Sequence, residues 1–262
     1  MNDGQAVART AIAVPARTDL LYVTAAAVLA VVLSHVPVLG VVVYPFKLFG
    51  TFVHEWSHAI VTVVTGGHVV GLRINPDLSG EEDSTGGWGL VISSAGYLGT
   101  AGTGAALLLA PLRRARHLLV ALGATVVALP VVGTLVQGAT FTPTTWLWTT
   151  VFAAVTLAVG RRGTLRLACL FQQFLAVEVC LAALDGLRSL DWLALTAPGV
   201  MTDATTAGSA THLPALVWAV LWSITGVAIV GLATLQRVRR ALRTAAGPSG
   251  QMHTGRPHRG AR

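Results

Sequence analysis

The chain has 262 residues, 53% of them hydrophobic and only 11% charged, with a mean hydropathy of +0.68. A soluble domain carries roughly 25% charged residues, so the composition argues against a soluble enzyme and for an integral membrane protein the size of one helical bundle. The formal charge of +7 does not point to nucleic acid, because Lys and Arg fall in short clusters between apolar runs and in the tail, as in membrane-anchoring loops. Cys169 and Cys180 are about 16 Å apart along one predicted helix, too far for a disulfide, and no C-x-x-C pair suggests thiolate zinc.

Residues 1–18 read as a polar, alanine-rich tail with Arg9 and Arg17. The apolar stretch 20–43 is too long for a signal-peptide core and reads as a first span, bent near Ser34-His35-Val36-Pro37. Tyr44-Pro45-Phe46-Lys47 reads as an interfacial break, and a helix over 48–65 then stops at Gly66-Gly67, a C-cap signal. The polar insertion 68–87 has β-branched character over 68–75, a turn at Asn75-Pro76-Asp77, and the acidic run Glu81-Glu82-Asp83. It is expected to form either a connecting loop or a β-hairpin able to hold an extended peptide by strand addition.

Further spans are expected over 88–112, 117–138 (broken by Pro130), 146–159, 167–187 and 213–235, with a weakly apolar linker at 188–212. The first of these carries Ser93, Ser94, Gly96, Gly99, Gly102 and Gly104, a spacing that allows close helix contact in a bilayer. The expected fold class is therefore all-α: a polytopic transmembrane bundle of about seven spans. Its domain runs over 19–236, with a basic, disordered C-terminal tail from 237 to 262. With seven spans and an inside tail, Lys47, Arg113, Arg114, Arg116, Arg161, Arg162, Arg166 and the seven tail arginines are cytoplasmic. Only Arg9, Arg17, Arg73 and Arg188 then lie outside, which satisfies the positive-inside rule. The expected location is the plasma membrane.

The chemistry centres on His54-Glu55-Trp56-Ser57-His58, an H-E-x-x-H inside an apolar run. On a helix the two histidines are one turn apart on one face and can reach one metal ion. Glu55 sits about 100° further round, close enough to act on water at that ion. Glutamate and histidine are costly in hydrocarbon and, when found there, line a site or a water-filled cavity.

Two histidines on a catalytic zinc need a third protein ligand and an open position. Asp185, in Leu184-Asp185-Gly186, and Asp203, in Thr202-Asp203-Ala204, are the alternatives. Asp185 reads equally as an acidic residue at a helix end, and Asp203 as an N-cap of a short helix. Glu178 could line the cavity or pair with a basic group, while His35 and His212 read as a residue beside a proline kink and an interfacial residue. In straight spans Asp185 would sit about 28 Å along its helix and His54 about 10 Å along its own. They could not meet unless a helix is broken or the charge count misplaces a span.

Together with Thr65-Gly66-Gly67, Asn75-Pro76-Asp77-Leu78-Ser79-Gly80, Ala95-Gly96-Tyr97-Leu98-Gly99, Thr202-Asp203-Ala204 and Leu213-Pro214-Ala215-Leu216-Val217-Trp218, the motif resembles the site-2 protease class of intramembrane zinc metallopeptidases, the M50 family, and within it the M50B-like branch. The resemblance covers roughly residues 50 to 222. It implies Zn2+ on His54 and His58, with Glu55 as general base. In the wider class the third ligand is the aspartate of an L-D-G element, which Leu184-Asp185-Gly186 matches without the usual Asn- and Pro-rich approach. Ser57 stands where that class commonly has glycine.

The expected function is hydrolysis of peptide bonds in membrane-embedded protein substrates, with the lipid bilayer as the other partner, no nucleic acid, and an oligomeric state the residues do not specify. The alternative is a non-proteolytic membrane scaffold or metal-binding protein in assembly or transport. A soluble zinc peptidase ranks third, since no soluble domain surrounds the motif.

Overall fold

The computed structural model describes residues 16–36 and 40–245. In chain order these form α1 (Ala16–His35), α2 (Gly40–Val64), β1 (His68–Ile74), β2 (Gly80–Thr85), α3 (Gly89–Leu109), a 3-10 turn (Leu112–Arg114), α4 (Ala115–Gln137), β3 (Thr140–Phe141), α5 (Pro143–Arg162), α6 (Leu165–Thr196), α7 (Asp203–Thr211) and α8 (Ala215–Ala245). The class is mostly α with one small sheet.

Seven spans do not emerge. Among the described residues, three helical stretches are long and apolar enough to cross a membrane, Leu112–Gln137, Leu165–Thr196 and Ala215–Arg243, and Leu20–Leu33 is a shorter apolar helix. In α2 the Lys47 and His-Glu-Trp-Ser-His positions dilute the apolar run, and in α3 the glycines and hydroxyls do so. With that count the assignment of the tail to one side no longer follows from alternating spans.

Several boundaries also move. The expected break at Tyr44–Lys47 is helical: α2 begins at Gly40 and runs through Pro45, which lies near its N-terminus and forfeits one i→i−4 hydrogen bond. Pro130 likewise sits inside an unbroken α4. The linker expected at 188–212 is largely helix, as α6 continues to Thr196 and α7 follows. The last helix reaches Ala245, past the expected start of the tail at 237. The rest of that tail, the segment before residue 16, Pro37 and the His35 side chain lie outside what the structure describes.

Glycines let the central helices approach closely. A Cβ at Gly104 of α3 would stand 2.7 Å from Cys180 Sγ of α6, and one at Gly50 of α2 would stand 2.6 Å from Ala182 Cβ of α6. Such contacts at small residues are how apolar helices pack where burial of apolar surface from water supplies little drive. Both cysteines are buried thiols, and Cys169 Sγ donates to the Leu112 carbonyl at 3.4 Å.

Of the two forms open to residues 68–87, a connecting loop or a hairpin, the hairpin is the one formed. β1 and β2 pair antiparallel from His68↔Thr85 to Ile74↔Gly80, and the short β3 adds to the other side of β1, in parallel, giving the order β2-β1-β3. β2 is thus an edge strand. Aromatic packing and hydroxyls seat the sheet on the helices. Trp56 of α2 stacks on Phe141 of β3 at 5.8 Å between centroids. At the N-terminus of α5, Thr145 Oγ1 accepts from Ile74 N–H and Thr144 Oγ1 donates to the Ile74 carbonyl, each at 3.1 Å.

Candidate metal centre

Helix α2 presents His54 and His58 one turn apart, with Nε2 atoms 3.1 Å from each other. It ends as the glycines suggest: Gly66 takes φ +84° and the Gly67 N–H returns to the Thr62 carbonyl at 2.8 Å, the six-to-one bond of a Schellman cap. A third group reaches the pair from far along the chain. Asp203 Oδ2 lies 3.4 Å from Nε2 of each histidine, and the three ligand atoms fall within 4.8 Å of one another.

The cap of α7 explains how Asp203 gets there. Thr202, not Asp203, is the N-cap: its hydroxyl accepts from Thr205 N–H while Thr205 Oγ1 accepts from Thr202 N–H, a reciprocal capping box. Asp203 is the first helical residue, so its carboxylate is not spent on the cap. Ala204 and Ala207 seat α7 in a buried cluster with Leu187, Leu190, Ala219 and Trp222. Burial alone would raise the Asp203 carboxyl, but His54 and His58 beside it hold it below the usual carboxylate range.

Asp185 is not brought to the site. Its side chain is 74% exposed on α6, with Arg188 Nε 3.9 Å away as its ion-pair partner. The L-D-G letters are present, but α6 turns that position outward. Glu178 is buried on α6 and stands outside the group. His212 is the C-cap of α7 in the left-handed region, at φ 58°, also outside it.

Helix α3 shapes the pocket. His58 Nδ1–H donates to the Ile92 carbonyl at 2.7 Å, which leaves Nε2 as the lone-pair nitrogen directed at Asp203 and His54. Gly96, one turn beyond Ile92, makes room: a Cβ there would collide with Nε2 of both histidines. Tyr97 sets its ring edge-on to His54, with centroids 4.6 Å apart at 84°. Ser57 is accommodated because Gly99 faces it, where a Cβ would stand 2.7 Å from Ser57 Cβ, and its hydroxyl turns back to the Val53 carbonyl at 2.6 Å.

Glu55 is buried, 6% exposed, and lies between the histidine pair and the start of β2. A Cβ at Gly80 would stand 2.7 Å from Glu55 Cγ and from Thr51 Cγ2. The Asn75–Gly80 turn brings Gly80 this close. Leu78 takes φ 72°, Thr51 Oγ1 donates to the Leu78 carbonyl at 2.8 Å, and Tyr44 Oη donates to the Pro76 carbonyl at 2.5 Å. Asp77 accepts from Ser79 Oγ and N–H at 2.6 and 3.0 Å, which holds its carboxyl below the ordinary value. Gly80, Gly96, Tyr97 and Thr202 all lie in stretches that carry the family resemblance, yet their letters alone assign them no part in the site.

The donor set suits zinc. Two neutral imidazole nitrogens and one carboxylate oxygen are the ligands of an open catalytic site. Zinc–ligand bonds of about 2.0–2.1 Å in a tetrahedron place ligand atoms about 3.3–3.4 Å apart, and the separations here are 3.1, 3.4 and 3.4 Å.

These features define a helical, membrane-type protein with a group of two histidines and one carboxylate placed so that it could hold a metal ion. The chain belongs to the Peptidase M50B-like family, whose model matches residues 22–233. No curated protein and no solved structure matches it.

Proposed function

We propose that this chain is an intramembrane zinc metallopeptidase that hydrolyses peptide bonds of membrane-embedded proteins. The observation that carries this reading is the convergence of His54 Nε2, His58 Nε2 and Asp203 Oδ2 beside a buried Glu55. His54, His58 and Asp203 hold the ion, and Asp203 rather than Asp185 is the third ligand. A zinc ion held there supplies Lewis acidity, making water a nucleophile near neutral pH and polarising the scissile carbonyl. Glu55 takes the proton from water on a carboxylate oxygen and passes it to the leaving amine. A transmembrane helix has no free backbone groups, so the substrate must unwind before it is cut. The free edge of β2 offers N–H and C=O groups to such an extended segment, with Gly80 alongside Glu55. The clustering of arginines supports a cytoplasmic C-terminal tail in a cell membrane.

The test is purified full chain carrying zinc, compared with Glu55→Gln. The variant is expected to keep about one zinc per chain and to lose cleavage of a membrane substrate by about 10²–10⁴-fold, the share a positioned general base contributes. Zinc bound but no processing difference between the two proteins would favour the scaffold or metal-binding alternative.

A further inference from the structure

Strand β2 reads Gly80-Glu81-Glu82-Asp83-Ser84-Thr85, and its two faces treat their carboxylates differently. On one face Glu81 and Asp83 both meet Arg73 of β1, whose Nη2 donates to them at 2.7 and 3.0 Å. On the other face Gly80, Glu82 and Ser84 turn toward α2. Gly80 abuts Glu55, and Ser84 Oγ accepts from Thr62 Oγ1 at 3.4 Å. Glu82 therefore stands between these two points, along the stretch of α2 that holds His58.

Its carboxylate is incompletely satisfied. Oε2 accepts from Ser84 Oγ at 3.1 Å, while Oε1 is buried with no hydrogen-bond partner. Among the described residues no Lys or Arg lies within ion-pair distance of it, because Arg73 serves its two neighbours. Burial pushes the Glu82 carboxyl up, opposed by the nearby Ser84 and Thr62 hydroxyls. A buried carboxylate oxygen without a partner is unfavourable unless something else supplies the donor. β2 is the edge of its sheet, so the chain that pairs there is also the chain able to supply it.

We propose that Glu82 is a specificity-determining residue of the cleft, taking the ammonium or guanidinium of a Lys or Arg side chain on the extended substrate segment within a few residues of the scissile bond. This rests on the peptidase reading above. A basic side chain one or two positions from the bond would reach Glu82 while its backbone pairs with β2 and its carbonyl faces the histidine–aspartate group. Glu81 and Asp83, already neutralised, add no such preference.

The experiment digests a mixed peptide library, generated by cleavage at aromatic residues so that Lys, Arg, Asp and Glu are all retained, with purified full-length zinc-loaded protein in detergent. Mass spectrometry maps the positions cut, and zinc content is measured for each variant. Wild type is expected to show Lys and Arg enriched at one fixed position beside the cut. In Glu82→Gln, cleavage of peptides with a basic residue at that position should fall about tenfold relative to neutral peptides in the same digest, the order of one partly desolvated ion pair. Glu82→Lys should move the enrichment to Asp and Glu, and both variants should keep their zinc.

Enrichment unchanged in Glu82→Gln, or no basic preference in a Glu55-dependent wild-type digest, overturns the inference while leaving the peptidase reading intact. Loss of zinc from Glu82→Gln also overturns it, by assigning the carboxylate to the metal. Identical digests from wild type and Glu55→Gln overturn the peptidase reading, and this inference with it.

Discussion

Asp185 and Asp203 carry the same functional group on consecutive helices, and only one of them can serve the histidines. Asp185 projects from the middle of the long α6, 74% exposed and beside Arg188. Asp203 opens the short α7 at 27% side-chain exposure, 3.4 Å from both imidazoles. The long helix fixes side-chain direction along its whole length, so a carboxylate on the wrong face cannot be re-aimed. The short helix is set by its cap and by two buried alanines, and its first residue is free to point at another element. A ligand at the start of a docked short helix can be placed independently of the bundle, which one inside a long span cannot.

That comparison can be broken by experiment. The largest effect is expected from Asp203→Asn, measured as zinc affinity of purified protein. It should weaken binding at least about a hundredfold, since even an outer-shell partner of a metal ligand is worth 10–100-fold. Zinc retained in Asp203→Asn and lost in Asp185→Asn would invert the assignment. Gly96→Ala comes next. Its new methyl group strikes both imidazoles, so zinc affinity should fall about tenfold or more and stability by about 1–3 kcal/mol, the usual range for overpacking. Equilibrium dialysis and thermal unfolding in detergent read the two effects separately.

Thr202→Ala should be milder. Losing the capping hydroxyl costs about 1 kcal/mol, and because the cap sets the direction of Asp203 the zinc affinity should drop with it by a few-fold. A stability loss with unchanged zinc binding would show that the alanine face alone aims α7. The smallest effect belongs to Asp185→Asn, expected to leave zinc content unchanged and stability within about 0.5 kcal/mol, as for other exposed substitutions.

Much of the site was legible before any fold was known. The pairing of His54 with His58 and the place of Glu55 follow from helix geometry over five residues. The helix stop at Gly66-Gly67 and the turn at Asn75-Pro76-Asp77 follow from local chemistry in the same way. Less legible were the helix limits. Pro45 and Pro130 read as breaks but are absorbed inside helices, and 188–212 reads as a linker because its apolar residues are sparse, although α6 and α7 occupy most of it. The count of seven spans failed for a related reason: apolar runs in sequence do not separate a helix built to cross a bilayer from one diluted by a functional site.

By itself, then, the chain's composition determined a membrane-type helical protein, and its local spacing determined the pairing of His54 with His58, the adjacent Glu55 and the turn at Asn75-Pro76-Asp77, because each depends on residues within a turn or two of one another. Tertiary structure alone decided which aspartate stands beside the two histidines, the role of Gly96 as the opening beside the imidazoles, and the position of the β2 edge over Glu55. Each of these requires two elements distant in the chain to dock at a given face and depth. That docking comes from the packing of small residues and short caps, which no local pattern encodes.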